Sequence, residues 1–435
     1  MKRKPLHRQI DDYLKTDPLP MHMPGSKRRI GSLSSADMTE IPALDNIHDP
    51  SSYILDLENS LASLWGARES FISVNGATAV IEAAICAAMR YFPDGRILAA
   101  SNCHLSVWHG IEMSGCMHLT VDPVTGNLPF PLEIRPSDIE RILCEDGSIK
   151  TVVIASPTYE GIISDTEEIF EITRRLGCTL IVDEAHGSHL GLDDFWGPDA
   201  KGDLVIKSTH KTLSSPTQTA VLLKYTDRVN AEDIRHYIDI FESTSPSFPL
   251  ISGISEMAEL LETDGSMEEW KKAVLFAESS LNELNNIRLF SSNIKDRSKL
   301  VFLCRGNDLA NILREEYNIE TEAAWNTHLI AMTGIGDTED SVKRFADAIR
   351  EIDNDHPELK TSDSPAVLCG HIPVMSLSEA SRIPHERIPS KDAIGRISGE
   401  FIFKYPPGIP VLMPGDRITE NHINLLLSDG ISVVP

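Results

Sequence analysis

The run Leu180-Ile181-Val182-Asp183-Glu184-Ala185-His186 and its sequel Ile206-Lys207-Ser208-Thr209-His210-Lys211-Thr212 carry the reading of the chain. Branched apolar residues closing on a carboxylate describe a strand buried on both faces, whose last side chain emerges in a crevice. The second run repeats the pattern one crossover later and ends on a lysine with serine, threonine and histidine beside it. Singly, each feature has an ordinary explanation. Asp183 would cap the next helix, and Lys211 would be a solvated loop lysine. Together they supply what an enzyme needs to hold pyridoxal phosphate. Lys211 would form the Schiff base, Asp183 would keep the pyridine nitrogen protonated, and hydroxyls near the lysine would bind the phosphate.

Outward from these runs, apolar segments alternate with amphipathic ones. Strands are expected at 69–74, 96–100, 151–155, 179–182 and 204–207, with helices at 53–65, from 76, from about 106 and at 167–176. This alternation predicts an α/β fold, a mostly parallel sheet with helices on both faces, with ligands at the carboxyl ends of its strands. After a long helix at 266–284, strands at 299–304 and within 319–333 and helices at 309–317 and 340–352 predict a smaller C-terminal α+β domain. The expected division is an N-terminal arm (1–50, with a short helical pattern near 7–14), a large cofactor-binding domain (51–290) and the small domain (291–435). Residues 353–365 read as a loop, and the prolines of Tyr405-Pro406-Pro407-Gly408-Ile409-Pro410 confine any strand there to an edge.

Composition narrows the function classes. A net charge of -25 over 435 residues speaks against nucleic acid or an anionic membrane as partner and is compatible with a small cationic substrate. Seven scattered cysteines without a Cys-x-x-Cys pair indicate neither a disulfide framework nor a zinc site, so no metal is expected and a reducing cytoplasm fits. The most apolar stretch, near 77–89, contains Glu82 and is too short to span a bilayer.

Further site candidates follow from position. Asn75-Gly76-Ala77-Thr78 falls between a strand and a helix, where Gly76 and the helix N-terminus suit a phosphate and Thr78 adds a hydroxyl; an ordinary capped turn reads the same way. His104, after the strand at 96–100, is placed either to stack on the cofactor ring opposite a small residue such as Ala185 or to cap the next helix. His186 is placed to reach the ring hydroxyl or the substrate. Ser208 and His210 flank Lys211, and Thr217, Gln218 and Thr219 are downstream phosphate candidates.

With these motifs assembled, the chain resembles the Orn/Lys/Arg decarboxylases, pyridoxal-phosphate enzymes of fold type I (aspartate aminotransferase-like), over residues 21–419. The resemblance rests on Met23-Pro24-Gly25, Leu44-Asp45-Asn46-Ile47-His48-Asp49-Pro50, Val74-Asn75-Gly76, Asn102-Cys103-His104, Ser156-Pro157-Thr158-Tyr159, Asp183-Glu184-Ala185-His186-Gly187, Ser208-Thr209-His210-Lys211-Thr212, Thr244-Ser245-Pro246-Ser247 and Tyr405-Pro406-Pro407-Gly408-Ile409-Pro410. It implies Lys211 as the Schiff-base lysine, Asp183 as partner of the pyridine nitrogen, His104 as the stacking residue, and Ala77, Thr78, Ser208 and His210 beside the phosphate. It also implies a compact member of the family, a homodimer with active sites at the subunit interface that is often built into larger assemblies, and decarboxylation of arginine, lysine or ornithine to an amine of polyamine metabolism, with reprotonation by Lys211 or His210. The chain departs from the family pattern at Ser26, Leu105, Ala77 and Ala79. Those departures keep two alternatives open: elimination, retro-aldol cleavage or transamination of a specialised amino acid, and a non-catalytic homologue. Glu40, Asp45, Asp49 and Glu400 are the carboxylates considered for a cationic side-chain end.

Overall fold

The computed structural model describes residues 4–16, 36–41, 43–263, 265–360, 365–368, 370–404, 408–426 and 429–435. The motif at Met23-Pro24-Gly25, Ser26, and Tyr405 to Pro407 lie outside them. In chain order come α1 (Leu6–Lys15), α2 (Tyr53–Leu64), β1 (Glu69–Ser73), α3 (Gly76–Met89), β2 (Arg96–Ala100), α4 (Leu105–Ser114), β3 (Met117–Val121), α5 (Pro136–Glu145), β4 (Ile149–Ala155), α6 (Thr166–Leu176), β5 (Thr179–Asp183), β6 (Leu204–Lys207), α7 (Thr209–Thr212), β7 (Ala220–Lys224), α8 (Ala231–Phe241), α9 (Phe248–Thr263) and α10 (Ser266–Ser280). The strands form one sheet in the order β1-β7-β6-β5-β4-β2-β3. It is parallel from β6 through β5, β4 and β2 to β3, and β7 runs antiparallel to both β6 and β1.

The local chemistry explains the central strands. Val152, Val153, Ile154, Leu180, Ile181, Val182, Leu204, Val205 and Ile206 are all fully buried, as strands covered on both faces must be. On one face the alanine-rich α3 packs against α4 and α8. The approach to α4 is close: a Cβ on Gly110 would lie 2.9 Å from Ile85 Cδ1. Elsewhere α5 packs against α6, and α6 against β5. Asp165 starts α6 by accepting the Glu168 N–H at 2.9 Å, and Gly177 ends it in the left-handed conformation, φ 78°.

The arm is partly anchored. Leu6 and Ile10 of α1 are buried, each contributing on the order of 1.5–3 kcal/mol, and His7 contacts Ser255 Oγ (3.1 Å) and Glu259 (2.9 Å) on α9.

The remaining elements are β8 (Arg288–Leu289), β9 (Lys299–Leu303), α11 (Gly306–Tyr317), β10 (Ala323–Ala324), β11 (His328–Met332), α12 (Glu339–Asp355), α13 (Leu377–Arg382), β12 (Glu386–Pro389), β13 (Ile397–Ser398), β14 (Ile402–Lys404), β15 (Ile409–Leu412), α14 (Glu420–Leu425) and β16 (Gly430–Val434). The stretch expected as one small α+β domain builds two apolar clusters. One, around Phe302, Leu309, Leu329 and Ile349, serves the sheet β10-β11-β9-β8; the other, around Ala393, Leu412, Ile418 and Val433, serves the sheet β12-β16-β13. Pro410 lies in the two-stranded ladder β14-β15, where both strands are edges. The loop read at 353–365 starts later than expected, because α12 runs to Asp355 and a 3-10 turn follows at Pro357–Leu359. Among the described residues no helix is long and apolar enough to cross a membrane.

Candidate active site

A cavity of 790 Å3 opens at the carboxyl ends of β4, β5 and β6. Its floor is the strand-end chemistry read from the sequence. Asp183, 7 % exposed, closes β5 and accepts the Ala185 N–H through Oδ1 at 3.1 Å. Lys211 stands on the single helical turn α7 that follows β6, its Nζ 3.0 Å from His186 Nε2. Burial holds the Lys211 ammonium below the ordinary lysine value, against the pull of Asp183 and Glu322.

The anion end is built by α3. Gly76 takes φ 78°, accessible to glycine without strain, and open space lies where its Cβ would stand. Its N–H donates to Gln218 O at 2.8 Å, and Asn75 Nδ2 donates to Phe241 O at 2.8 Å, so the turn is pinned from two sides. Ala77 and Thr78 follow at the mouth of a 14-residue helix and line the cavity, as do Ser208 and His210. His210 Nδ1 donates to Thr219 O at 2.9 Å, which leaves Nε2 as the lone-pair nitrogen of the neutral ring. Burial, and to a smaller extent Lys211, lower its pKa.

His104 caps α4: Nδ1 accepts the Ser106 N–H at 3.2 Å, so the neutral ring carries its proton on Nε2. Burial depresses its pKa, Asp183 opposes, and Lys211 adds to the depression. The helix-cap reading of this histidine is the one its hydrogen bond shows, and its side chain also lines the cavity, as does Ala185. His186, likewise in the lining, has its other nitrogen, Nδ1, 2.8 Å from Lys299 Nζ, and Tyr159 meets its ring edge-on at 5.2 Å.

A positively disposed helix mouth, a carboxylate and a buried amine converging on one cavity fit a phosphorylated pyridine aldehyde. Of the residues predicted for it, Gly76, Ala77, Thr78, His104, Asp183, Ala185, His186, Ser208, His210 and Lys211 line the cavity, and Thr219 does not. Thr219 is fully buried, and its hydroxyl is used by Ser215 (2.6 Å), Thr209 (2.9 Å) and Pro216 O (2.7 Å). It braces α7 from behind.

The carboxylates considered from sequence are elsewhere. None of Glu40, Asp45, Asp49 and Glu400 lines the cavity. Asp45 instead gathers the backbone N–H groups of Asn46, Ser51, Ser52 and Ile54 into one loop. Glu400 accepts from Ser432 N at 2.6 Å. The carboxylates in the wall are Glu160 and Glu322, and Glu322 Oε1 accepts the Tyr159 hydroxyl at 2.7 Å. Glu160 directly follows Ser156-Pro157-Thr158-Tyr159, so its sequence signal was present; Glu322 had none.

Two buried networks brace Lys211 and its strand. Lys207 Nζ meets Glu184, Asp199 Oδ1 (2.7 Å) and Gly187 O (3.4 Å). Burial disfavours its charge, but Glu184 and Asp199 outweigh this and raise its pKa. His189 joins Thr212 Oγ1 (3.1 Å) to Asp296 Oδ1 (2.9 Å), tying the Lys211 turn to the loop before β9.

Residues 371–428 match the Orn/Lys/Arg decarboxylase C-terminal domain. The arginine decarboxylase of Bacillus subtilis strain 168 is 28 % identical, over 98 % of this chain and 93 % of its own length. That of Halalkalibacterium halodurans is 26 % identical, over 100 % and 95 %. The lysine decarboxylase LdcF of Francisella novicida has the same fold, TM-score 0.79 at 16 % identity, over 99 % of this chain and 81 % of that one. With residues 30–327 matching the Orn/Lys/Arg decarboxylase major domain around this lysine and aspartate, the chain belongs to that family, the pyridoxal-phosphate enzymes that decarboxylate basic amino acids.

Proposed function

We propose that arginine is the substrate, converted to agmatine and carbon dioxide in the cavity around Lys211. The observation that carries the reading is that Glu160 and Glu322 line the same cavity as Asp183 and Lys211. A guanidinium presents five donors in a planar fork that suits carboxylates, and two relatives that match this chain nearly end to end are named arginine decarboxylases.

Lys211 is the amine that would hold the cofactor, with Asp183 on its pyridine nitrogen, His104 and Ala185 on its two faces, and Gly76, Ala77, Thr78, Ser208 and His210 around its phosphate. Once bound, the cofactor supplies an electron sink for the pair released when the bond to the α-carboxylate breaks. The protein selects that bond by orientation: Glu160 and Glu322 fix the side-chain end, so the α-carbon is presented in one pose. Lys211 Nζ, in contact with His186 Nε2, is placed to return a proton to the α-carbon. The reading carries with it a cytoplasmic homodimer with active sites at the subunit interface, which a sedimentation measurement tests.

The deciding assay incubates the protein with pyridoxal phosphate and arginine, lysine or ornithine separately, following carbon dioxide and amine. Agmatine with stoichiometric carbon dioxide is expected, at a kcat/KM for arginine at least about tenfold above that for lysine, the discrimination of one good polar contact. Preference for lysine or ornithine would overturn the substrate assignment.

A further inference from the structure

Lys299 opens β9, is fully buried, and was read in the sequence only as the start of a strand. A buried lysine needs partners. Its Nζ lies 2.8 Å from His186 Nδ1 and 3.0 Å from Met332 Sδ, and His186 Nε2 lies 3.0 Å from Lys211 Nζ. Lys299, His186 and Lys211 thus form an unbroken line ending on the amine that meets the cofactor.

Donor and acceptor chemistry restricts how this line is protonated. An ammonium only donates, whereas a neutral imidazole has one donor nitrogen and one acceptor nitrogen. Two ammonium groups facing the two nitrogens of one neutral ring would set a donor against a donor. An imidazolium between two lysines would put cation beside cation, and burial together with both lysines holds the His186 pKa well below its usual value. With both contacts kept, the line holds at most one ammonium, and at least one of the two lysines is a free amine.

Burial lowers the Lys299 pKa to about 8, and the carboxylates that face it oppose that shift. Lys299 faces Asp296 from its own loop and Glu160 and Glu322 from the cavity wall, with the Tyr159 ring 5.7 Å from its Nζ. The cations facing it are Lys211, and Lys295, which donates to the Lys299 carbonyl. Lys211 faces Asp183 and the shared Glu322, with His186, His104 and His210 around it. With Lys299 donating to Nδ1, Nε2 carries the imidazole proton and donates it to the Lys211 lone pair.

We propose that Lys299 is a positioning residue that takes the charge of this line at its far end and, through His186, holds Lys211 as a free amine ready for the aldehyde of the cofactor. The proposal rests on Lys211 being the cofactor lysine. In the reaction it prepares, the Lys211 lone pair forms the new bond to the aldehyde carbon, and the carbonyl oxygen leaves as water with the two amine hydrogens.

The test uses the cofactor-free protein. The pH dependence of Lys211 acylation by limiting acetic anhydride, read by peptide mass mapping, gives the midpoint at which Lys211 loses its proton. Lys299→Met removes the donor to Nδ1, frees His186 to accept from a Lys211 ammonium, and should raise the midpoint by about one pH unit. Lys299→Arg keeps the charge and should return the midpoint toward the wild-type value, which a purely structural role would not do. An unmoved midpoint in folded Lys299→Met overturns the proposal. Should that variant fail to fold, lysine ε-carbon spectra of the wild-type protein decide: one neutral lysine of the pair at neutral pH supports it, and two charged ones overturn it. Borohydride trapping of added pyridoxal phosphate on a lysine other than Lys211 would instead overturn the underlying reading, independently of Lys299.

Discussion

Lys207 of β6 and His118 of β3 are both fully buried polar side chains of one sheet, yet Lys207 has an acceptor for each of its three hydrogens and His118 has none for either ring nitrogen among the described residues. Around Lys207 each polar partner is itself engaged: Asp199 takes the Tyr225 hydroxyl at 2.8 Å, and Glu184 takes the Ala200 N–H at 3.1 Å. Around His118 the neighbours are the Trp108 ring, edge-on at 5.6 Å, and the pair His371 and Asp416, joined at 2.7 Å. A satisfied network pays for desolvating a charge and fixes geometry under the reactive lysine; an unsatisfied ring is tolerated only while neutral. Burial accordingly lowers the His118 pKa to about 4.

The largest effect is expected where the satisfied network ends. Lys211→Ala should reduce decarboxylation roughly a thousandfold or more while the far-ultraviolet circular dichroism stays unchanged; near-normal turnover would remove Lys211 from the chemistry. Next, Lys207→Met strands Glu184 and Asp199 as buried carboxylates, and urea unfolding should show a loss of about 3–5 kcal/mol. A loss below about 1 kcal/mol would mean that the network does not carry its charges as drawn.

His118 gives the opposite signature, in pH. Its folded value lies below the ordinary 6.5, so the unfolded chain takes up a proton first as the pH falls. Its stabilising contribution is full above 6.5 and declines toward about 4, by a total on the order of 3 kcal/mol. His118→Phe should flatten the stability profile across that window, and an unchanged slope would assign the acid sensitivity to other groups. The smallest effect belongs to the exposed rim: Glu322→Gln should raise KM for arginine about fivefold with little change in kcat, the worth of one solvated ion pair.

The sequence made one half of this comparison legible. Asp183 and Lys211 could be read because a polar residue closing an apolar strand has few places to go, and the β-α alternation located β1, β2, β4, β5 and β6. The antiparallel β7 could not be read, because Ala220 to Lys224 gives the same apolar pattern in either direction. Thr219 was read as a ligand from its proximity to Lys211 in the chain, although neighbouring residues on a turn point to different sides. Glu40, Asp45, Asp49 and Glu400 failed as cavity carboxylates for a related reason: composition reports a charge but not which wall it faces. Lys299 and Asp296 were invisible because their partners, His186 and His189, lie 113 and 107 residues away.

That separation sets the limits of dissection. Asp296 and Lys299 belong by chain order to the sheet β10-β11-β9-β8, yet they stand behind Thr212 and Lys211. A fragment ending at residue 290 would keep every strand of the large sheet and lose the rear wall of its reactive lysine. Such a fragment should bind pyridoxal phosphate weakly, and adding the missing half in trans should restore the capture rate in proportion to reassembly, so the enzyme is separable into polypeptides but not into modules.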